Sequence, residues 1–345
     1  MTLHSEIIEQ PDRLTGLLSS QRAVAETVAR EIRARGISYV FLAARGTSDN
    51  AGRYANYLLG AMNGLPLALA TPSLFTYYRR PPRLQNALVI GISQSGQSPD
   101  IVSVLEEGRR QGCMTLVITN APDSPLANAA EFVLDIQAGP ELSVAATKTY
   151  TGELMAIAML SAALDPDQLG WGSLAKVPGW VAEALQHDQA MAQVVQHYKD
   201  MRQCVVLGRG YNYATAFEWA LKLKELTYVE AEPYSPADFQ HGPIAMVQKG
   251  FPVMAMVADG PVAQSLLPML RQVKDELYAD LLVISNSPEA LSLSEPSFAL
   301  AGDIPEQLTP LIGIVPAQLM AYHLTRAKGN DPERPRTIRK VTETR

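Results

Sequence analysis

The feature that most constrains this chain is that it contains the same unit twice. YVFLAARGTSDNAGRYANYLL begins at Tyr39 and QCVVLGRGYNYATAFEWALKL at Gln203. Each is a short apolar run, then Arg-Gly, then a helical pattern, and Arg45 matches Arg209 at an offset of 164. ALVIGISQSG, ending at Gly96, and FPVMAMVADG, ending at Gly260, repeat that offset. LVITN ending at Asn120 and LLVISN ending at Asn286 lie 166 apart. Three matches at nearly one offset mark a duplication.

Within each copy, strand-like and helix-like segments alternate. Short β-rich runs, apolar on both faces, occupy 40–43, 87–92, 115–119, 204–207, 253–257 and 281–284. Such runs suit a parallel sheet covered on both sides. The stretches 99–111 and 262–278 have helical length and periodicity. The expected fold is α/β: two tandem doubly wound parallel-sheet units, each a flavodoxin-like three-layer α/β/α sandwich. The expected division is an N-terminal segment over 1–25, a first domain over 26–165, a linker over 166–198, a second domain over 199–330 and a tail over 331–345. At 345 residues, two domains of this size can each bury a core.

Composition narrows the functions. There are 29 Lys+Arg against 35 Asp+Glu, a net charge of −6, and no basic run before the tail from Arg334. Nucleic-acid binding is therefore not expected. Cys113 and Cys204 are far apart, which excludes a disulfide framework or a structural zinc knot. His4, His187, His197, His241 and His323 show no ligand spacing along the chain, so no metal is expected. The opening MTLHSEIIEQPDRL is too polar for a signal peptide. The apolar stretch 308–325 is broken by Pro310, Pro316, Gln318 and His323, so a buried helix is expected rather than a membrane span. These features fit a cytoplasmic protein.

In doubly wound sheets, ligands bind beyond the carboxyl ends of the strands. After the run ALVIGI comes Ser93-Gln94-Ser95-Gly96-Gln97-Ser98-Pro99-Asp100, then a helix. Hydroxyls and backbone N–H groups at a helix N-terminus favour an anion. With no lysine in the loop, this is not a nucleotide P-loop. Alone, Ser-x-Ser-Gly would suggest only a capped turn. Its place after a buried strand, in one copy only, points to a sugar phosphate. The second copy has Val257-Ala258-Asp259-Gly260-Pro261 instead, with an acid and no serines. Gly46, Thr47 and Ser48, after the first strand, can add donors.

In the second copy, the helix after Gly210 places Glu218 and Lys222 four residues apart, and Lys222 and Glu225 three apart. A cation and a carboxylate on one face suit an acid–base pair. Downstream, His241-Gly242-Pro243 fixes a histidine in a loop, where it can transfer protons.

SQSGQSPD, ELSVAATKTYT, EWALKLKELTYVEAEPYSPADFQHGP and PRTIRKVT resemble the isomerase half of glutamine:fructose-6-phosphate amidotransferase (glucosamine-6-phosphate synthase), which contains two sugar isomerase (SIS) domains. The resemblance covers nearly the whole chain. It implies phosphate and sugar contacts at Gly46, Thr47, Ser48, Ser93, Gln94, Ser95, Ser98, Val144 and Ala146, the last where the family commonly has Ser. It implies Glu225 as the proton-transfer carboxylate with Lys222 nearby, His241 as the ring-opening group reaching a neighbouring subunit, and Lys340 as the lysine that forms an imine with the keto sugar. A homodimer follows, with a sugar phosphate as ligand and no metal or redox cofactor. Two departures matter. Met1 is followed by Thr2 rather than the glutaminase cysteine, so no ammonia source is expected on this chain, and Arg45 stands where the synthase has Cys. The activity implied is isomerising deamination of glucosamine 6-phosphate to fructose 6-phosphate and ammonia. The alternatives are an isomerising aminotransferase fed with ammonia from elsewhere, a fructosamine-6-phosphate deglycase, or a non-catalytic sugar-phosphate sensor.

Overall fold

The computed structural model describes residues 2–340. In chain order its first elements are α1 (Leu3–Ile8), α2 (Gln10–Ala34), β1 (Tyr39–Ala43), α3 (Gly46–Asn63), β2 (Leu67–Leu69), α4 (Ser73–Thr76) and β3 (Ala87–Ile92). There follow α5 (Pro99–Arg110), β4 (Met114–Thr119), α6 (Pro125–Asn128), β5 (Phe132–Asp135), α7 (Lys148–Leu164), α8 (Trp171–Ala184) and α9 (Asp188–Val194). The second copy contributes β6 (Gln203–Leu207), α10 (Tyr213–Lys222), β7 (Glu230–Tyr234), α11 (Pro236–Gln240), β8 (Pro252–Val257) and α12 (Ala263–Arg271). It closes with β9 (Asp280–Ser285), α13 (Pro288–Leu291), β10 (Ser297–Ala299) and α14 (Thr309–Ala327).

Two parallel five-stranded sheets result, in the orders β2-β1-β3-β4-β5 and β10-β9-β8-β6-β7. Read from its first strand, each sheet runs 2-1-3-4-5, so the duplication holds at the level of topology. All six expected strands form, and β3 and β4 are buried at every position because helices cover both faces. The chain divides into two compact units. Among the described residues, one comprises 9–141, 148–176 and 339–340; the other comprises 2–8, 142–147 and 177–338.

In the first unit, α2 buries Leu14, Leu17, Gln21, Ala25, Val28, Ala29 and Ile32, a stripe at helical spacing, and packs along α7. A core of Phe41, Val89, Leu105 and Val117 with their neighbours lies on one face of the sheet. In the second unit, Val205, Val253, Leu270 and Val283 belong to the equivalent core. The apolar run near 308–325 is the buried helix α14. Among the described residues, no helix is long and apolar enough to cross a membrane.

Candidate active site

In the first unit the strand order reverses between β1 and β3, and the crevice between their carboxyl ends is where doubly wound sheets take ligands. The N-termini of α3 and α5 follow these two strands directly, so their unpaired N–H groups lie at that crevice. Gly46, Thr47 and Ser48 form the first turn of α3. Ser93, Gln94, Ser95 and Ser98 form the loop into α5, so the sheet brings the two expected groups together.

The loop is braced from within. The Gly96 N–H donates to Ser93 Oγ (3.1 Å) and the Gln97 N–H to Ser95 Oγ (3.3 Å). Asn120 N donates to Gln94 O (3.2 Å) and Leu126 N to Gly96 O (3.2 Å). Ser98 is the N-cap of α5 yet makes no side-chain cap bond, so its hydroxyl is not engaged in capping. Gly96 is required: its φ is +62°, and a Cβ there would lie 2.0 Å from Ser124 Oγ. Ser48 differs from the expectation of a free donor. It is buried, and its hydroxyl donates to Glu153 Oε1 (2.7 Å). Arg45, the departure from the family pattern, joins the two halves of the crevice by donating to the buried Asp100 of α5 at 2.8 Å.

The second unit carries the acid–base candidates. α10 runs into a π-helical turn, Leu223–Thr227, which holds Glu225. Such turns recur at functional sites. Lys222 Nζ donates to Glu225 Oε2 at 2.5 Å and lies 3.4 Å from Glu218 Oε1. Lys222 and Glu218 are buried, while a quarter of the Glu225 side chain is exposed. The charged helix is thus a buried cluster with one accessible carboxylate, not a solvated face. Burial works to depress the Lys222 ammonium, but Glu218 and Glu225 outweigh it and hold its pKa above the ordinary lysine value. Tyr228 ends the turn in a left-handed conformation (φ +58°). Its hydroxyl accepts from Arg336 N (2.9 Å), and the Arg336 guanidinium lies 4.3 Å from the ring centroid.

His241 follows α11, with its backbone N–H on Asp238 O (3.2 Å) and its side chain exposed. Val144 and Ala146 lie in the 142–147 segment. That segment is anchored by the buried Glu6, which accepts from Leu142 N (2.5 Å) and Ser143 N (3.3 Å). Glu333 accepts from Ser143 Oγ (3.1 Å) and from Leu3 N (2.9 and 3.1 Å). Lys340, in the first unit, donates to Glu141 Oε2 (2.5 Å). Glu141 is buried and also accepts from Thr149 N (3.1 Å) and Thr149 Oγ1 (2.8 Å).

Glu141, Glu153 and Glu218 hold expected site residues in place: Lys340, Ser48 and Lys222 respectively. Only Glu218 left a signal, its four-residue spacing from Lys222. Two of the five histidines, distant along the chain, meet in space at one carboxylate. His4 Nε2 lies 3.0 Å and His323 Nε2 2.6 Å from the two oxygens of Asp188.

Residues 37–163 and 197–327 each match the model of the SIS domain. The chain belongs to the SIS domain family. A relative from Thermococcus kodakarensis, glutamine–fructose-6-phosphate aminotransferase (isomerizing), is 33% identical over 97% of this chain and 56% of its own length. The chain thus spans little more than half of that relative. The C-terminal domain of glucosamine-fructose-6-phosphate aminotransferase from Francisella tularensis superposes with a TM-score of 0.87 at 28% identity, over 96% of this chain and 98% of that one. A candidate phosphosugar isomerase from Silicibacter pomeroyi DSS-3 gives a TM-score of 0.86 at 33% identity, over 96% and 100%. The SIS fold and the two-copy organisation are therefore shared along nearly the whole chain.

Proposed function

We propose that this SIS protein is a phosphosugar aldose–ketose isomerase that deaminates glucosamine 6-phosphate to fructose 6-phosphate and ammonia. The observation that carries the reading is the Glu225–Lys222–Glu218 cluster, one accessible carboxylate held by a buried, protonated lysine. Acid–base work needs such a carboxylate, and the ammonium beside it offsets the negative charge that develops on an enolate-like centre. The neutral serine loop would hold the phosphate at two helix N-termini.

The reaction balances without a redox partner. His241 assists ring opening to the aldehyde. Glu225 takes the C2 proton and returns it to C1, while O1 gains a proton and the nitrogen loses one, which converts the amino aldehyde through an enolamine to a ketose imine. Water adds to C2, the C–N bond breaks, and ammonia leaves with the proton it needs. Water is the nucleophile at C2 here, so Lys340 is not needed for imine formation, and its pairing with Glu141 holds it in place.

The names of the aminotransferase relatives favour one second reading, the reverse synthesis with ammonia supplied from elsewhere. The deciding assay is release of ammonia and fructose 6-phosphate from glucosamine 6-phosphate without glutamine. Glu225→Gln is expected to lower kcat by roughly 10²–10⁴-fold. No turnover in the wild type, with phosphosugar binding intact, would overturn deamination. Incorporation of free ammonia into fructose 6-phosphate as the only activity would establish the second reading, and turnover of fructosamine 6-phosphate adducts alone a deglycase.

The exposed His241 is proposed to serve a second copy of the chain in a two-fold dimer. Mixing inactive Glu225→Gln and His241→Ala proteins, with subunit exchange, is then expected to restore roughly a quarter of wild-type activity, because half the dimers are mixed and each has one intact site. No recovery in a mixture whose exchange is verified would place His241 in its own subunit's site.

A further inference from the structure

Outside the site described above, three side chains from distant parts of the second unit converge on one point. His4 comes from α1, Asp188 from the first residue of α9, and His323 from α14. Their ligand atoms all lie within 4.8 Å of one another. The two imidazoles present the same nitrogen, Nε2, to the two oxygens of a single carboxylate. Tyr322 supports both rings, at centroid distances of 4.9 Å to His4 and 5.0 Å to His323. The three side chains are between 13% and 32% exposed, so further positions are open to water.

We propose that His4, Asp188 and His323 form a binding site for one divalent transition-metal ion of the zinc class. Two imidazoles and one carboxylate are a donor set for zinc, cobalt or nickel rather than for calcium or magnesium. Nitrogens no more than 4.8 Å apart close to about 3.4 Å around a tetrahedral ion with bonds of about 2.1 Å, so each ring shifts by at most about 0.7 Å. The proton balance closes for either form of the ring: a neutral imidazole moves its Nε2 proton to Nδ1 when the ion binds, and an imidazolium gives its Nε2 proton to solvent. The role is structural. The ion ties α1 to α9 and α14, and α1 also carries Glu6, which holds the 142–147 segment with Val144 and Ala146.

The test uses the full chain, free of any histidine tag and stripped with a chelator, titrated with Zn²⁺ by calorimetry and with Co²⁺ by visible absorption. The expected result is one ion per chain, a cobalt d–d band, and a melting temperature that rises with zinc concentration. Asp188→Asn and His323→Gln are each expected to weaken binding by at least about tenfold and to abolish the zinc-dependent shift. His4→Ala, which changes only the short first helix, checks the result in a variant less apt to disturb the core. Absence of saturable binding in the wild type, or binding unchanged in all three variants, overturns the site and leaves a hydrogen-bonded clasp.

Discussion

The two sheets are close to one another in construction and opposed in chemistry. Both run 2-1-3-4-5. In both, an asparagine after the fourth strand braces a later loop: Asn120 Nδ2 donates to Gly139 O (2.8 Å), and Asn286 Nδ2 to Ile304 O (3.2 Å). In both, a serine caps the short helix that follows, Ser124 on α6 and Ser287 on α13. The crevices differ. The first is lined by hydroxyls and helix N-termini, with the Arg45–Asp100 ion pair joining its two halves. In the second, Glu306 fills the space beside the glycines, and a Cβ on Gly260 would lie 2.5 Å from Glu306 Oε2. Burial, aided by the nearby Asp259 charge, raises the Glu306 pKa above the usual carboxylate value. A duplicated scaffold thus keeps its core and braces while a few loop residues set the charge of each crevice, which under the proposed function suits only the first to an anion.

The comparison breaks most sharply at Gly96. Gly96→Ala is expected to disrupt only the first crevice, raising KM for a phosphosugar at least about tenfold, because the added Cβ collides with Ser124 and φ is unfavourable. Gly112→Ala, at φ +76° with open space around it, is the control for backbone strain alone and should leave KM unchanged. Equal KM values for the two variants would show that the serine loop is not the phosphate site.

The arginines at the repeated Arg-Gly should also separate the copies. Arg45→Ala leaves Asp100 buried without its ion pair, and is expected to cost about 1–2 kcal/mol, a fall of a few degrees in melting temperature. Arg209, its counterpart, makes no ion pair among the described residues, so Arg209→Ala should stay within about 0.5 kcal/mol. Equal losses in thermal melts would remove this distinction.

The smallest expected effect is at Glu306. Its pKa is raised in the folded state, so between the unfolded and folded values the folded protein holds more protons. Stability therefore falls as pH rises through that window and stays lower above it. Glu306→Gln removes this loss. The variant should melt about 1 °C higher than wild type at neutral pH and level with it near pH 3.5. A gain that persists at low pH would point to packing rather than charge.

Much of this was legible in the sequence because buried parallel strands read as continuous apolar runs, and all six central strands did. The outer strands β2, β5, β7 and β10 did not. β2 and β10 have three residues each, and β7 reads Glu-Ala-Glu-Pro-Tyr, tolerable only at an edge. The serine loop and the Lys222–Glu225 pair were visible as local spacing. The π-helical turn was not, since its residues fit an ordinary helix pattern equally well. Glu141 and Glu153 were invisible as supports because their partners lie far along the chain, Lys340 and Ser48 respectively. The grouping of His4, Asp188 and His323 escaped for the same reason: only the folded arrangement brings them together.

Glu333 has a consequence for chain connectivity. One carboxylate holds the backbone of Leu3 and the hydroxyl of Ser143, so the start of α1 meets the chain just where the C-terminal tail departs. Any polypeptide joined ahead of Thr2 would therefore emerge beside the root of that tail. A fused module would be felt first at Glu333 and the two segments that its carboxylate joins.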